Sequence, residues 1–447
     1  MPSNKSVSDA SITQFVNCRI LRDHHLERED LWVRDGKILN PEKLFFEEQG
    51  FADRKVDCGN KIIAPGFIDV QINGGYGIDF SQATDDITGG VALVAKRILE
   101  HGVTSFCPTL VTSPPDIYHQ VIPQVKVKDG GADGAGVLGL HLEGPFISEE
   151  KKGAHPPRFL RSFSKGGVAD LLETYGQLEN VAMVTLAPEL PNSGPAICEL
   201  ARRGITVSLG HSMADLAQAE EAVLHGASFI THLFNAMLPF HHRDPGIVGL
   251  LTSDRVPAGR TVYYGMIADG IHTHPAALRI AHRAHPAGLV LVTDAVTAMG
   301  LPAGRHTLGQ QEIHIQGLHA YVAGLIHTHT YTHTYTHTHM HYKQATPLLI
   351  KIMHRPRPFN ERFIRAGTKT LSGSIATMDM CVRHFKQASG CTVEAALDAA
   401  SLHAAQLLGI SHRKGTLKYG ADADLVLLDD ALTVWETYIA GELVWRK

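Results

Sequence analysis

Short apolar runs alternate with longer amphipathic segments between Lys61 and Ala295. Each apolar run ends in a polar, Gly-rich or Pro-rich turn, and a helical pattern follows it. Two of the helical segments, residues 87–102 and 213–226, end at glycines suited to C-caps. The eight predicted strands are IIAPGFIDVQI (62–72), VTSFCPTL (103–110), GVLGLHLEGPF (136–146), VAMVTLAPE (181–189), ITVSLGHS (205–212), SFITHLFNAM (228–237), YYGMIADGIH (263–272) and GLVLVTDA (288–295).

This alternation predicts an α/β fold. Near-continuous apolar strands separated by helices are typical of a parallel sheet covered on both faces, and eight such units favour a closed (β/α)8, TIM-like barrel. The barrel is predicted over residues 61–414. Residues 13–60 and 415–447 have the short strands and turns of a small β-sandwich domain formed by both termini.

Polar residues occupy the positions where the apolar runs stop. The active site of such a barrel lies at the carboxyl ends of its strands, so these side chains are expected to converge. They are, in chain order, Asp69, Gln71 and Asn73; Thr109; His141 and Glu143; Glu189; His211; His232 and Asn235; Asp269 and His272; and Asp294.

The same positions suit metal-dependent hydrolysis. Glu143, His211 and His232 are three candidate ligands for one divalent ion, a set typical of catalytic zinc sites. Such an ion lowers the pKa of a bound water to ~7. Asp294 is then predicted to take the proton and pass it to the leaving group, and His272 to hydrogen-bond a substrate oxygen. Taken singly, each histidine has a plainer interpretation as a packed side chain, and Asp294 as a helix cap; their arrangement on successive strand ends favours the metal hydrolase.

Composition narrows the class of protein. The chain of 447 residues is 44% hydrophobic and 19% charged with a net charge of -4, which does not indicate binding to nucleic acid or to an anionic membrane. It has no apolar run of about 18 residues, no CxxC pair and no signal-peptide pattern at the N-terminus. These features predict a cytoplasmic enzyme without a membrane span.

Several motifs also carry a resemblance. HLEGPF (141–146), LGHS (209–212), THLFNAM (231–237), ADGIH (268–272) and LVTDA (291–295) resemble those of the N-acetylglucosamine-6-phosphate deacetylase family of the amidohydrolase superfamily. PGFIDVQINGG (65–75), TLSGS (370–374) and GADADLV (420–426) match too. The resemblance covers nearly the whole chain apart from residues 325–366.

The resemblance implies a reaction and a metal. The expected activity is hydrolysis of the acetamide of N-acetylglucosamine 6-phosphate to glucosamine 6-phosphate and acetate. The family's metal ligands correspond to Glu143, His211 and His232, and its acid/base to Asp294. Many amidohydrolases have an HxH pair for a second metal where this chain has Gln71 and Asn73, a vestigial second-metal position. Because neutral amides are poor ligands, one ion per subunit is expected, with zinc first and iron, manganese or cobalt as alternatives.

Substrate contacts follow from the same motifs. Asn235 and the backbone of Ala236 resemble the family's sugar-phosphate contacts, and His272 its contact near the scissile amide. Arg243 resembles an arginine that reaches the phosphate bound to a neighbouring subunit, which implies a homodimer; the alternative is an exposed surface charge. The TLSGS segment, with Leu371, Ser372 and Gly373, is expected to close the far side of the sugar pocket; the alternative is a turn at a helix start.

An insert interrupts the family pattern between Gly324 and Gly367. Residues 325–366 contain six Lys or Arg and one acid, and His327–His341 holds six of the chain's 28 histidines. A translated dinucleotide repeat from a retained intron, or a gene-model error, gives this composition, so a disordered low-complexity insert is favoured over an evolved metal site. Rival hypotheses are a catalytically impaired isoform that binds the sugar phosphate, a metal-buffering protein, or another amidohydrolase acting on a related amide.

Overall fold

The computed structural model describes residues 10–308, 311–316, 319–322 and 373–447. Residues 325–366, Leu371 and Ser372 lie outside these ranges. Among the described helices, none combines the length and apolar character needed to cross a membrane.

The strands and helices follow the predicted alternation. The strands are β1 (Thr13–Arg22), β2 (His25–Glu27), β3 (Leu31–Arg34), β4 (Lys37–Ile38), β5 (Arg54–Pro65), β6 (Phe67–Ile72), β7 (Gly74–Gly75), β8 (Ile78–Asp79), β9 (Val103–Val111), β10 (Gly136–Val137), β11 (Leu140–Glu143), β12 (Val181–Leu186), β13 (Thr206–Leu209), β14 (Phe229–Ile230), β15 (Tyr263–Ile267), β16 (Leu289–Val292), β17 (Gly304–Leu308), β18 (Gln311–Gln316), β19 (His319–Val322), β20 (Leu425–Leu428), β21 (Val434–Ile439) and β22 (Glu442–Arg446). The helices are α1 (Pro41–Phe46), α2 (Ile87–Arg97), α3 (Pro115–Val121), α4 (Val168–Tyr175), α5 (Ser193–Arg202), α6 (Leu216–His225), α7 (Pro275–Ala284), α8 (Met378–Ser389), α9 (Val393–Ala400) and α10 (Leu402–Leu407). Short 3-10 turns lie at Ile98–His101, Pro157–Phe159, Gly246–Leu251 and Pro286–Gly288.

The predicted barrel is confirmed. Parallel pairing runs from β6 through β9, β11, β12, β13, β14 and β15 to β16. The circle closes where the backbone N–H of Asn73 donates to the carbonyl of Ala295, and that of Asp294 to the carbonyl of Gln71, both at 2.8 Å. Helix α6 ends at Gly226 with φ 124°, and the turn after α2 ends at Gly102 with φ 77°. The two predicted glycine C-caps are therefore present.

Both termini join one sheet beside the barrel. Its order is β22-β21-β20-β5-β1-β3-β4, with β2 paired to β1. It encloses an apolar cluster of its own that includes Phe15, Leu31, Leu425 and Tyr438. The predicted terminal β-domain is therefore present as an eight-stranded sheet; the proposed division of the chain at residue 60 stays a prediction.

The first predicted strand, residues 62–72, divides between the two sheets at Gly66. Residues up to Pro65 belong to β5 of the terminal sheet, whereas β6 begins at Phe67 in the barrel. A Cβ on Gly66 would lie 2.2 Å from Thr104 Oγ1, so no larger residue fits at this junction. An unbroken apolar run does not distinguish one strand from two in different sheets, which explains the difference.

Candidate active site at the carboxyl ends of the barrel strands

Three predicted ligands meet at one point. Glu143 ends β11, and His211 and His232 follow β13 and β14. The Nε2 atoms of His211 and His232 lie 3.0 and 3.1 Å from the same oxygen, Oε1 of Glu143, and 3.1 Å from each other. All three residues are buried, at 2–5% exposure. The structure therefore brings together the predicted Glu143, His211 and His232 set.

The protonation pattern of this cluster fits a cation. Nδ1 of His211 lies 2.9 Å from the carbonyl oxygen of Lys151 and donates to it. With this proton on Nδ1, Nε2 is the nitrogen that can offer a lone pair, and it faces a carboxylate oxygen and a nitrogen of a second imidazole. Zinc lies ~2.0–2.1 Å from nitrogen or oxygen ligands, so donor atoms about 3 Å apart are all within reach of one ion. The donor set thus fits a divalent metal.

Electrostatics in the cluster favour an ionised carboxylate. Burial alone would raise the pKa of Glu143, but the two imidazoles beside its carboxylate outweigh burial and hold that pKa well below its usual range. For His232, burial lowers the pKa, and the hydrogen bond and charge of Glu143 overcome this and raise it. The charge on Glu143 is therefore available to a cation at neutral pH.

The backbone at the site is held in an uncommon conformation. His211, His232 and Asp294 have φ values of 50°, 28° and 46°, in the left-handed region that side chains other than glycine seldom adopt. Neighbouring loops hold them there: the N–H of Ser148 donates to the carbonyl of His211 at 2.9 Å. Such backbone strain concentrates at functional sites.

Asp294 lies beside the cluster at the end of β16. Its Oδ1 accepts from Asn73 Nδ2 at 2.7 Å and from Gln71 Nε2 at 3.3 Å. Burial first, and then the charge of Glu143, raise the pKa of Asp294 to about 6. A carboxylate with a pKa near the operating pH is suited to move a proton in both directions.

Gln71 and Asn73 occupy the predicted second-metal position and bind carboxylates there. Nε2 of Gln71 also lies 3.2 Å from Oε1 of Glu143. Their other amide atoms, Oε1 of Gln71 and Oδ1 of Asn73, are buried and have no partner among the described residues. These two residues therefore act through their N–H groups in this structure.

His272 is held in place by Asp269, which follows β15. Its Nδ1 donates to Oδ2 of Asp269 at 2.6 Å, and Ser374 Oγ donates to the same oxygen at 2.9 Å. Burial would raise the pKa of Asp269, but the hydrogen bond from His272 prevails and lowers it. The ring of His272 is thereby oriented with Nε2 left for another partner.

His155 was missed by sequence reasoning. One of its ring nitrogens lies within 4.8 Å of ligand atoms of both Glu143 and His211. Burial, followed by the neighbouring His211, lowers its pKa to about 3, so the ring is neutral. Nδ1 accepts from the backbone N–H of Thr112 at 3.2 Å, which places the proton on Nε2. His155 lies in the loop between β11 and α4, so no strand end marked it; a histidine within GAHPP was the only signal.

The predicted substrate contacts are distributed around this centre. Asn235 and Ala236 are half-buried just after His232, and Ala236 accepts from the N–H of Ser212 at 3.1 Å. Gly373 has φ 74°, and a Cβ there would lie 2.3 Å from Val296 Cγ1. Ser374 next to it donates its N–H to the carbonyl of Asp294 at 2.9 Å. The Gly373 end of the TLSGS segment thus lies beside the predicted base.

Arg243 is exposed on the loop after β14. Its Nη1 lies 3.4 Å from Nε2 of His242, and no carboxylate among the described residues pairs with it. Phe240 on the same loop is 63% exposed. The position is open to a ligand or to another chain.

Comparisons with known proteins show the family of this chain. Residues 62–444 match the model of the amidohydrolase family. The chain is 77% identical to the N-acetylglucosamine-6-phosphate deacetylase of Danio rerio, with 100% of both chains covered, and 64% identical to that of Homo sapiens, with 100% of this chain and 98% of the relative covered. Its fold is similar to the deacetylase of Mycobacterium smegmatis in complex with N-acetyl-D-glucosamine-6-phosphate, at a TM-score of 0.73 and 29% identity over 98% of this chain and 100% of that one. The chain therefore belongs to the amidohydrolase family and, within it, to the N-acetylglucosamine-6-phosphate deacetylases.

Proposed function

We propose that this chain hydrolyses the acetamide of N-acetylglucosamine 6-phosphate to acetate and glucosamine 6-phosphate. The observation that carries the proposal is the meeting of Glu143, His211 and His232 at one point, 3.0–3.1 Å apart, with Asp294 beside them. Relatives 62–77% identical have this activity in their names.

Glu143, His211 and His232 would hold one divalent ion. When bound, such an ion lowers the pKa of a water and polarises a carbonyl. We propose zinc, because two histidines and a carboxylate are a common catalytic zinc set; iron, manganese and cobalt accept the same ligands. Within this chain, the hydrogen bond from His211 Nδ1 to Lys151 keeps its Nε2 lone pair directed at the site.

Asp294 would move the proton. As the water oxygen bonds to the acetamide carbon, the proton passes to Oδ2 of Asp294, because Oδ1 is already bonded to Asn73. The C–N bond then breaks as Asp294 gives this proton to the leaving nitrogen. The second proton of the attacking water passes from the acid product to the amine, so the products are acetate and the protonated amine of the sugar, and atoms and charge balance.

Two histidines would orient the substrate. His155, with its proton on Nε2, would donate to the acetamide oxygen. His272, fixed by Asp269, offers Nε2 to a sugar hydroxyl. Asn235 and the Ala236 backbone would contact the sugar phosphate, and Gly373 the far side of the pocket together with Leu371 and Ser372.

The test is acetate release from N-acetylglucosamine 6-phosphate, with N-acetylgalactosamine 6-phosphate as the competing substrate. Asp294→Asn is the matched control, since it keeps the shape and removes the base. The proposal requires rapid release by the wild-type chain and almost none by the variant. Equal rates from the two proteins would overturn the mechanism.

We further propose a homodimer in which Arg243 serves the partner's site. Its exposure and its lack of a carboxylate partner among the described residues support this, and a guanidinium suits bidentate phosphate binding. Arg243→Gln should raise KM and leave kcat nearly unchanged.

Mixed dimers decide whether Arg243 acts across subunits. Co-expression of Arg243→Gln with Asp294→Asn chains gives heterodimers with one site that has both Asp294 and the partner's Arg243. With equal amounts of the two chains, about half of the dimers are heterodimers, and each heterodimer has one intact site and one inactive site. About a quarter of wild-type activity should therefore return at low substrate. If Arg243 acts within its own subunit, no activity returns.

A further inference from the structure

Two buried carboxylates lie close together at this site. Glu143 and Asp294 are 2% and 8% exposed, and among the described residues no lysine or arginine forms an ion pair with either. The charge of Glu143 is, after burial, the main contribution that raises the pKa of Asp294. Like charges in a buried site repel strongly, so their separation has to be held by other groups.

The side-chain amide of Gln71 bridges them. Its Nε2 lies 3.2 Å from Oε1 of Glu143 and 3.3 Å from Oδ1 of Asp294. The NH2 group has two donors, and a carboxylate only accepts. The orientation of this amide is therefore fixed by the two acids.

Asn73 completes the contact from the same strand end. Its Nδ2 donates to Oδ1 of Asp294 at 2.7 Å, the shorter of the two bonds to that oxygen. Oδ2 of Asp294 accepts no hydrogen bond from the described residues. One oxygen of the base is thus fully occupied, and the other is left for proton transfer.

The amides keep this orientation at a cost. Oε1 of Gln71 and Oδ1 of Asn73 are buried without a partner among the described residues. An unpaired buried acceptor is unfavourable, and the amide N–H groups bond to the two acids at the same positions. The interactions with the carboxylates account for them.

We propose that Gln71 and Asn73 are positioning residues that clamp Oδ1 of Asp294, hold it at a fixed distance from Glu143, and leave Oδ2 as the single proton-accepting oxygen. Their N–H groups place hydrogen-bond donors between the two acids. This inference rests on the proposed function.

Asn73→Asp tests the clamp, because it preserves volume and replaces the donor with an acceptor. The expected result is a kcat at least about tenfold lower, with KM within about twofold and the metal content per chain unchanged. Gln71→Met, which removes the bridging donor at similar length, should behave in the same way. Asn180→Asp is the control: this half-buried amide, far from the site, donates to the carbonyl of Ile122 at 3.0 Å and should retain wild-type kcat.

A double-mutant cycle separates positioning from simple loss of structure. In an Asp294→Ala background, Asn73→Asp should change the residual rate less than about twofold. Three results would overturn the proposal. They are an equal loss of kcat from Asn73→Asp with and without Asp294, a wild-type kcat in Asn73→Asp, and a loss of kcat in Asn180→Asp equal to that in Asn73→Asp. The same cycle measured by Tm does not depend on activity: Asn73→Asp should lower Tm only when Asp294 is present. A wild-type chain that releases no acetate would refute the function, while the Tm cycle would still decide on the clamp.

Discussion

The rim of the barrel has two halves, and each contains one buried carboxyl group. The surroundings lower the pKa of the carboxyl in one half and raise it in the other. On the side of β11, β13 and β14, two imidazoles hold the pKa of the Glu143 carboxyl well below its usual range. On the side of β6, β15 and β16, burial and the nearby charge of Glu143 raise the pKa of Asp294 to about 6. The first side, with Glu143, His211 and His232, is the ligand half, which would hold a cation; the second, with Asp294, is the proton-transfer half, which would exchange a proton. Each half can be tested separately.

The largest effect is expected from the ligand half. His211→Ala should remove the metal ion and lower kcat/KM by more than ~10⁴-fold, since the pKa of water returns from ~7 towards 15.7. Metal analysis of the purified protein and acetate release measure the two losses. His141→Gln is the control, because His141 is also buried at a strand end, but its nitrogens are bonded to Val70 O and Thr185 Oγ1. The His141→Gln variant should be less stable than the wild-type chain and should keep its metal. Loss of the metal from this variant would contradict the division of the rim into two halves.

The proton-transfer half should respond without loss of metal. Asp294→Asn is expected to lower kcat by ~10³-fold, within the usual contribution of general acid–base catalysis. The metal content should stay equal to that of the wild-type chain. If Asp294→Asn also lost its ion, Asp294 would belong to the ligand half, and the comparison would fail.

Residues 325–366 should affect the proton-transfer half alone. They precede Gly373 and Ser374, and Ser374 bonds to the backbone of Asp294 and to Asp269. A displacement of about 1 Å at such a site costs on the order of 100-fold in rate. Deleting the insert should therefore raise kcat/KM by up to that factor at constant metal content. Equal kcat/KM with and without these residues would refute this hypothesis.

The smallest predicted change is in the pH profile. Asp294 must be ionised to accept a proton, and its pKa is raised to about 6. kcat/KM should therefore fall as the pH drops through about 6 and reach a plateau above it. The acidic limb should be absent in the residual activity of Asp294→Asn. If kcat/KM of Asp294→Asn fell at the same pH, the fall would be caused by the titration of another group.

The sequence predicted most of the barrel and the ligand half, for one reason. Strand ends can be recognised from the apolar pattern, and the fold brings them to one rim, so the proximity of Glu143, His211, His232 and Asp294 could be predicted, while their roles stay a prediction. His155 comes from a long loop whose path no periodicity encodes. The division of residues 62–72 into two strands at Gly66 could not be predicted either, because both strands are apolar. The bridging role of Gln71 depends on distances between three strands, which appear only in the folded chain.

The barrel closes through the residues that would move the proton. Between β6 and β16 the closure rests on the Asn73–Ala295 and Gln71–Asp294 backbone bonds, and Ser374 adds to it from the other side of Asp294. Local opening of this seam would separate the base from its clamp before the rest of the barrel unfolds. On heating, catalytic activity should therefore be lost ahead of bulk secondary structure, and the amide hydrogens of Asn73, Asp294 and Ser374 should exchange with solvent earlier than those of β12 and β13.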